Sequence, residues 1–286
     1  MSANCPVTVI VPTYNRAETL PRALSSILSQ TSLPRHIIVV DDGSTDSTAE
    51  LVRNHYPGVH YLYQPNTGVS AARNAGIRLN ATLNDGSEWI ALLDSDDEWL
   101  PEKLERQLNT WHREPRHRLI HCDEIWIRNG LRVNPMKKHR KRGGYIFNHC
   151  LPLCAISPSA ALIRRDLLDD TGLFNEDLPA CEDYDLWLRI CHRETVLFVA
   201  EPLLFKYGGH TDQLSRRHWG MDRFRVKALC RCLDNENLTS EQRRATLAML
   251  ELKLDILIQG ARKRGNDDAV QSYRQLKDRY LAPGYT

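Results

Sequence analysis

Short apolar runs rich in β-branched residues alternate with helical patterns through the first third of the chain. The runs Val7–Val11, Ile37–Val40, Val59–Tyr63 and Trp89–Leu93 each predict a buried strand. Helical spacing of apolar residues predicts helices over about residues 18–29, 45–54, 69–80 and 101–113. Because the strands are continuously apolar and alternate with helices, we expect a mainly parallel α/β sheet with helices on both faces.

The rest of the chain has weaker strand signals and stronger helical ones. Between about residues 119 and 200, short strands and turns surround one clear helix, whose buried face carries Tyr184, Trp187, Leu188 and Cys191. The last third is helical, and its apolar residues form one stripe: Leu247, Leu250, Leu254, Leu257 and Ala261. Such a stripe packs inside the chain or pairs with a second subunit, so an oligomer is one expectation.

Polar and acidic residues stand where the predicted strands end. Pro12-Thr13-Tyr14-Asn15-Arg16 follows the first strand, Asp41-Asp42 the second, and Asp94-Ser95-Asp96-Asp97 the fourth. Ligands of parallel α/β sheets bind beyond the carboxyl ends of the strands. The sequence therefore predicts the functional site at this edge. Four carboxylates within residues 94–98 repel one another, and either a helix cap or a metal ion would offset that repulsion.

Composition narrows the classes of partner. The 286 residues are 42% hydrophobic and 26% charged, and the net charge of +2 favours neither nucleic acid nor anionic lipid as a partner of the whole molecule. The sequence has no signal-peptide pattern and no apolar run as long as a membrane span. Its eight cysteines form no Cys-x-x-Cys pair. We therefore expect a cytoplasmic protein with free thiols.

Five segments together closely resemble the family 2 glycosyltransferases in order and spacing: VTVIVPTYNRAETLPRALSSILSQT, IIVVDDGSTDST, NTGVSAARNAGI, WIALLDSDDEWLPEKLE and CEDYDLWLR. The resemblance covers about residues 5–215. It implies a GT-A-type, Rossmann-like fold, a nucleotide-sugar donor, a divalent metal (Mn²⁺ or Mg²⁺), and inversion at the anomeric carbon of the sugar. We expect a catalytic domain over residues 1–215, with a nucleotide-binding half (1–113) and an acceptor-side half (114–215), followed by a helical region (216–286).

The resemblance assigns the strand-end residues to the donor. The residues expected to bind the nucleotide sugar are Pro12, Tyr14, Arg16, Asp41, Asp42, Arg73, Asp94 and Ser95. Asp41 and Asp42 can accept hydrogen bonds from base and ribose, although an Asx turn with Gly43 explains the pair equally well. Arg73 lies in a helix that follows a tight turn, and a helix N-terminus with a guanidinium suits a diphosphate.

The metal and the general base follow from the same resemblance. Asp94 and Asp96 match the family's Asp-x-Asp, whose hard oxygen ligands suit Mg²⁺ or Mn²⁺. His210 resembles a further metal ligand of many members. Asp97 and Glu98 are expected to cap the following helix or to support the metal-binding pair from behind.

The Glu182-Asp183 pair matches the family's Glu-Asp. The resemblance makes Asp183 the general base and places Glu182 on the acceptor side. Acids at a helix start are also common partners of the helix dipole. The segment Gln213–Arg217 approaches the Gln-x-x-Arg-Trp of processive synthases but has Arg217 in place of Trp. Transfer of a single sugar is therefore favoured, most simply from a UDP-sugar to a glycan or lipid-linked acceptor in cell-envelope polysaccharide synthesis.

Two basic segments, Lys137–Arg142 and Arg216–Arg231, have no place in that scheme. Each is either a solvated surface or a contact for anionic lipid at the inner membrane face or for a phosphate-bearing acceptor. Two other functions remain open. One is a phosphotransferase with Asp94 as nucleophile, although the Thr of that signature is missing. The other is a non-enzymatic module whose basic loop binds nucleic acid or membrane.

Overall fold

The computed structural model describes residues 5–83, 86–209 and 218–282. Within these residues, strands β1 to β9 form one sheet in the order β3-β2-β1-β4-β8-β6-β9-β5, with β7 paired to β6. The strands are β1 Cys5–Thr13, β2 Pro34–Asp42, β3 His60–Gln64, β4 Trp89–Leu92, β5 Glu98–Trp99, β6 Leu119–Arg128, β7 Leu131–Val133, β8 Leu162–Arg164 and β9 Leu197–Gly208.

The first four strands form the parallel part of the sheet. β1 pairs in parallel with both β2 and β4, and β2 pairs in parallel with β3. Their carboxyl ends therefore share one edge, as predicted. β8 pairs antiparallel with β4 and β6, while β6 and β9 are again parallel. The expected α/β sheet, mainly parallel with helices on both faces, is confirmed.

The helices connect and cover these strands. They are α1 Leu20–Leu28, α2 Thr48–His55, α3 Val69–Leu83, α4 Lys103–Arg113, α5 Phe147–Cys150, α6 Arg165–Thr171, α7 Glu182–Cys191, α8 Asp222–Asn235, α9 Ser240–Lys263 and α10 Asp267–Leu281. Helix α3 approaches the sheet closely at Gly76, where an added Cβ would come within 2.6 Å of the Ile10 side chain. A larger residue would push the helix away from the sheet, and with it Arg73.

Two hydrophobic clusters cover the two faces of the sheet. One cluster packs α1 and α4 against residues such as Val9 and Val39. The other joins α3 and α7 to the C-terminal helices and contains Ile10, Trp187 and Leu254. The apolar stripe of α9 is thus buried within the chain itself. Within the described residues, no helix is long and apolar enough to cross a membrane.

Candidate active site

A cavity of about 370 Å³ opens at the carboxyl edge of the parallel strands. It lies where the loops after β1, β2 and β4 meet the start of α7. The predicted site residues that line it are Pro12, Tyr14, Arg16, Asp42, Arg73, Asp94, Ser95, Asp96, Glu182 and Asp183. Asp41 lies outside this wall, and His210 lies outside the described residues. The structure therefore brings together segments that are more than 160 residues apart along the chain.

Asp41 and Asp42, the last two residues of β2, are both buried and both hydrogen-bonded within the protein. Asp41 accepts from the Ser44 amide at 2.8 Å and from the Tyr61 hydroxyl at 2.5 Å. Asp42 accepts from the Thr67 amide at 3.0 Å and from the Gly68 amide at 2.8 Å. These bonds support the turn interpretation for Asp41. They also show that Asp42 binds backbone amides directly before α3, a contact that sequence reasoning missed.

The loop after β4 brings three acids to the cavity wall, of which Asp94 and Asp96 are half-buried and Asp97 is fully buried. Asp94 accepts from Arg73 through Oδ1 at 2.8 Å, and Asp96 lies nearby on the cavity wall. Asp97 is buried, accepts from the Ser159 hydroxyl at 2.6 Å, and has a raised pKa because of burial and the charges of Asp96 and Asp94. Three carboxylates so close together favour a cation among them.

The acids of this loop fit a magnesium or manganese site. Such ions are commonly held by one or two carboxylates, with water and substrate phosphates completing the coordination. Asp94 and Asp96 are two such oxygen donors on a cavity wall. Across residues 5–83, 86–209 and 218–282, no three His, Cys, Asp or Glu side chains cluster as a complete metal site. An ion held by two carboxylates alone keeps positions for water and substrate phosphates.

The helix cap expected of Asp97 or Glu98 is wrong. Helix α4 begins at Lys103, and its N-cap residue, Glu102, makes no side-chain cap bond. Asp97 instead accepts from the Tyr207 amide, and Glu98 accepts from the Tyr207 hydroxyl at 2.8 Å. β5 pairs with β9 at this point, so both acids hold the loop against a distant strand. The alternative expectation, that they support the Asp94–Asp96 pair from behind, stays a prediction.

Arg73 is buried between two acids of the cavity. Its Nη1 donates to Glu182 at 2.5 Å and its Nη2 donates to Asp94 at 2.8 Å. Burial alone would lower the pKa of Arg73, but the two carboxylates raise it, so the guanidinium stays charged. Burial raises the pKa of Glu182 despite the arginine. In this arrangement Arg73 ties the loop after β4 to the start of α7, and its part in diphosphate binding stays a prediction.

Asp183 stands at the N-terminal end of α7 with its carboxylate at the cavity. Cys181, two residues before Asp183, has φ +64°, a left-handed conformation that is uncommon outside glycine. Sγ of Cys154 lies 2.9 Å from Oδ2 of Asp183, and the Tyr184 amide donates to Oδ1. Burial and the neighbouring Asp183 raise the pKa of the Cys154 thiol, which therefore keeps its proton for donation.

The cavity also contains cations that the sequence did not reveal. Lys206, on β9, lines it and donates to the Ser157 hydroxyl at 2.9 Å. Burial lowers the pKa of Lys206, but the carboxylates of Glu124, Asp97 and Asp94 raise it by more. A single lysine within a strand gives no sequence signal, and only the pairing of β9 with β6 and β5 brings it to the site.

Comparison with known proteins is consistent with this geometry. The sequence profile of Glycosyl transferase family 2 matches residues 8–172. The chain belongs to glycosyltransferase family 2. An uncharacterized glycosyltransferase of Rickettsia prowazekii is 30% identical over 203 residues, which cover 69% of this chain and 62% of that protein. The chain spans from 31% to 62% of the length of the first curated relatives of this family that it matches.

Two solved structures of other proteins have folds similar to that of this chain. A structure of S. aureus TarS in complex with UDP-GlcNAc has a TM-score of 0.68 and 20% identity, over 85% of this chain and 71% of that one. The mannosyltransferase PcManGT from Pyrobaculum calidifontis, in complex with GDP-Man and Mn²⁺, has a TM-score of 0.60 and 19% identity, over 99% and 83%. The structural likeness, rather than the low identity, supports the GT-A fold expected from the sequence.

Proposed function

We propose that this chain transfers one sugar from a nucleotide diphosphate, most simply UDP, to a hydroxyl of a glycan or lipid-linked acceptor, with inversion at the anomeric carbon. One observation carries the proposal: Asp183 shares its cavity with the Asp94–Asp96 pair. A base for the acceptor and a place for the diphosphate are thereby adjacent. The nucleotide sugars bound to TarS and PcManGT support a donor of this class.

Each side chain has a defined part in the transfer. The acceptor oxygen gives its proton to Asp183 and forms a bond to the anomeric carbon. The bond from that carbon to the phosphate oxygen breaks, and its electron pair leaves with the nucleoside diphosphate. Attack from the face opposite the leaving group inverts the configuration. Cys154, by donating to Asp183, orients the carboxylate before the acceptor arrives.

The leaving diphosphate needs positive charge. A divalent cation held by Asp94 and Asp96 would neutralise the charge on the diphosphate when bound. Lys206 supplies a further charge from β9. PcManGT was solved with Mn²⁺, which supports the same choice of metal here. If this proposal is correct, excess EDTA abolishes transfer by the purified chain and added Mn²⁺ restores it.

The variant Asp183→Asn tests the base. We expect it to lower turnover by about 10² to 10⁴-fold, because the amide cannot take the proton. Turnover is measured as nucleoside diphosphate released at saturating donor and acceptor, and donor affinity by calorimetry. Donor affinity should remain that of the wild type. Asp177→Asn, an exposed acid before α7, is the matched control and should leave both quantities unchanged.

The two readouts separate two failures. Normal turnover in the Asp183→Asn variant would refute the base assignment and leave the transferase proposal standing. Absence of binding to every UDP- and GDP-sugar by the wild-type chain with Mn²⁺ would refute the donor class itself.

A further inference from the structure

A second groove lies beside the active-site cavity and is lined mainly by basic side chains. Its walls come from the turn at residues 137–139, from α5, and from α8 and α9. The Lys, Arg and His residues in the wall are Lys137, Lys138, His139, Arg142, His149, Arg225 and Lys253. Among the described residues, Asp222 is the one acid that lines it. This charge excess is local, since the whole chain carries only +2.

The protein itself neutralises only part of this charge. Asp222 Oδ1 accepts from Arg225 Nη1 and from Lys253 Nζ, each at 2.9 Å. Lys137, Lys138 and Arg142 are exposed, and none of the described carboxylates lies within ion-pair distance of them. Three cations in one groove therefore face solvent without a counter-ion among the residues that the structure describes.

The basic segment Lys137–Arg142 does not face solvent along its whole length, which could not be predicted from the sequence. Lys141 turns inward, where its ammonium lies 3.1 Å from Glu124 Oε1 and its side chain is only 7% exposed. His139 packs its ring at 5.1 Å from that of Trp126. A merely solvated loop needs no such anchors. The buried Lys141 and the packed His139 hold the turn in place, so Lys137, Lys138 and Arg142 project from a fixed support.

Arg225 connects the groove to the active site. It lines both cavities, the donor cavity together with Asp183 and the groove together with Lys253. Its Nε is buried and has no hydrogen-bond acceptor among the described residues. A sugar-acceptor molecule that lies in the groove would therefore reach toward the proposed base, Asp183.

We propose that this groove binds the phosphate groups of an anionic acceptor and thereby selects the acceptor for transfer. The inference rests on the proposed function and names the class of acceptor for that site. Arg side chains bind phosphate oxygens in pairs and Lys side chains bind them as point charges, so the mixture suits a chain of phosphates. The phosphate can belong to a soluble phosphodiester or to a lipid headgroup, and the two sources are separable by experiment.

The test compares two triple variants of the full chain. The groove variant is Lys137→Ala/Lys138→Ala/Arg142→Ala. The control is Lys227→Ala/Arg244→Ala/Lys263→Ala, which removes the same number of lysines and arginines from exposed positions outside both cavities. The two variants have equal net charge, so a general electrostatic effect changes both alike.

Two probes are used at low ionic strength: a short glycerol phosphate oligomer, and vesicles of phosphatidylglycerol and phosphatidylcholine in equal parts. Each basic residue near an anionic surface is worth roughly a fivefold change in affinity, so the groove variant should bind about 100-fold more weakly. The control should lose much less. If the groove variant loses affinity for the oligomer, the phosphate source is a soluble phosphodiester. If it loses affinity for the vesicles alone, the source is a lipid headgroup. Both outcomes support the proposal.

Equal losses in the two variants, or no loss in either, would overturn it. The affinity for a UDP-sugar with Mn²⁺ is measured on the same samples. It should be unchanged in the groove variant, since its three positions lie outside the donor cavity. A wild-type chain that binds no nucleotide sugar would refute the proposed function, whereas intact donor binding without phosphate selectivity would refute only the groove.

Discussion

Two groups of carboxylates at the carboxyl edge of the sheet are stabilised in different ways. Asp41 and Asp42, at the end of β2, accept hydrogen bonds from uncharged groups of the turn after β2, of β3 and of the turn before α3. Asp94 and Glu182 share the cation Arg73, which comes from a different part of the chain. The first group shapes a turn and a helix start, whereas the second joins the loop after β4 to the start of α7 across the cavity.

The difference has an energetic consequence. A carboxylate held by backbone amides keeps most of its support when one neighbour changes, because several donors share the charge. A buried ion pair depends on one partner, and removal of that partner leaves an uncompensated charge in a place that water does not reach. We therefore expect the two groups to respond very differently to single substitutions.

The largest effect is expected for Arg73→Met. Asp94 and Glu182 would lose their common cation, and breaking such a buried pair costs about 4 kcal/mol of unfolding free energy. Urea denaturation at neutral pH measures the loss. Arg78→Met, on the same helix and with an exposed partner in Glu176, is the control and should cost under about 0.5 kcal/mol. Equal losses of unfolding free energy for the two variants would show that the buried ion pairs of Arg73 stabilise the fold no more than the exposed pair of Arg78.

A smaller effect, with a distinct pH dependence, is expected for Lys141→Met. Burial would raise the pKa of Glu124, but Lys141 and Lys206 lower it to about 2, against an ordinary value of 4.5. A shift of that size corresponds to about 3 kcal/mol of stability, present above about pH 4.5 and lost as the pH falls toward 2. The variant lacks the part of this contribution that Lys141 supplies, while Lys206 remains.

Unfolding free energies of wild type and Lys141→Met should therefore differ by up to about 3 kcal/mol at neutral pH and converge as the pH falls below 4.5. Lys138→Met, three residues earlier and exposed, serves as the control and should follow the wild type throughout. A difference between wild type and Lys141→Met that stays constant from neutral to acid pH would mean that the Glu124 charge is not what Lys141 stabilises.

The same contrast explains what the sequence could predict. The parallel strands, their acidic ends and the start of α7 each depend on local patterns, and the structure places them as expected. The pairing of Arg73 with Glu182 spans 109 residues, and no local pattern encodes it. Lys141 illustrates the limit best: in a run of six basic residues, only the fold shows which one meets Glu124.

The cap expected of Asp97 or Glu98 failed for the same reason. Acids shortly before a helix usually bind its first amides, and the sequence offered Pro101 as the helix start. In the structure β5 pairs with β9 at this point. The Tyr207 amide donates to Asp97 and the Tyr207 hydroxyl donates to Glu98 instead. A tertiary contact thus replaced a local one, which is the pattern that separates the two groups of acids.

The smallest effect is expected for Asp42→Asn. An amide keeps one acceptor oxygen but turns an N–H₂ group toward the amide of Thr67 or Gly68, both of which now donate to the carboxylate. Loss of one such bond at the start of α3 costs about 1–2 kcal/mol, because the other donors remain satisfied. Urea denaturation checks the value, with Glu50→Gln, an exposed acid on α2, as the control.

Donor affinity of the same variant tells whether Asp42 has a second role. If it only holds the turn before α3, affinity for a UDP-sugar should fall slightly and in proportion to the lost stability. If it also binds the nucleotide, as the family resemblance implies, affinity should fall by more than about tenfold while stability changes as above. A loss of stability as large as that of Arg73→Met would contradict the comparison, since it would show that amide-held acids depend on one partner as strongly as ion-paired ones.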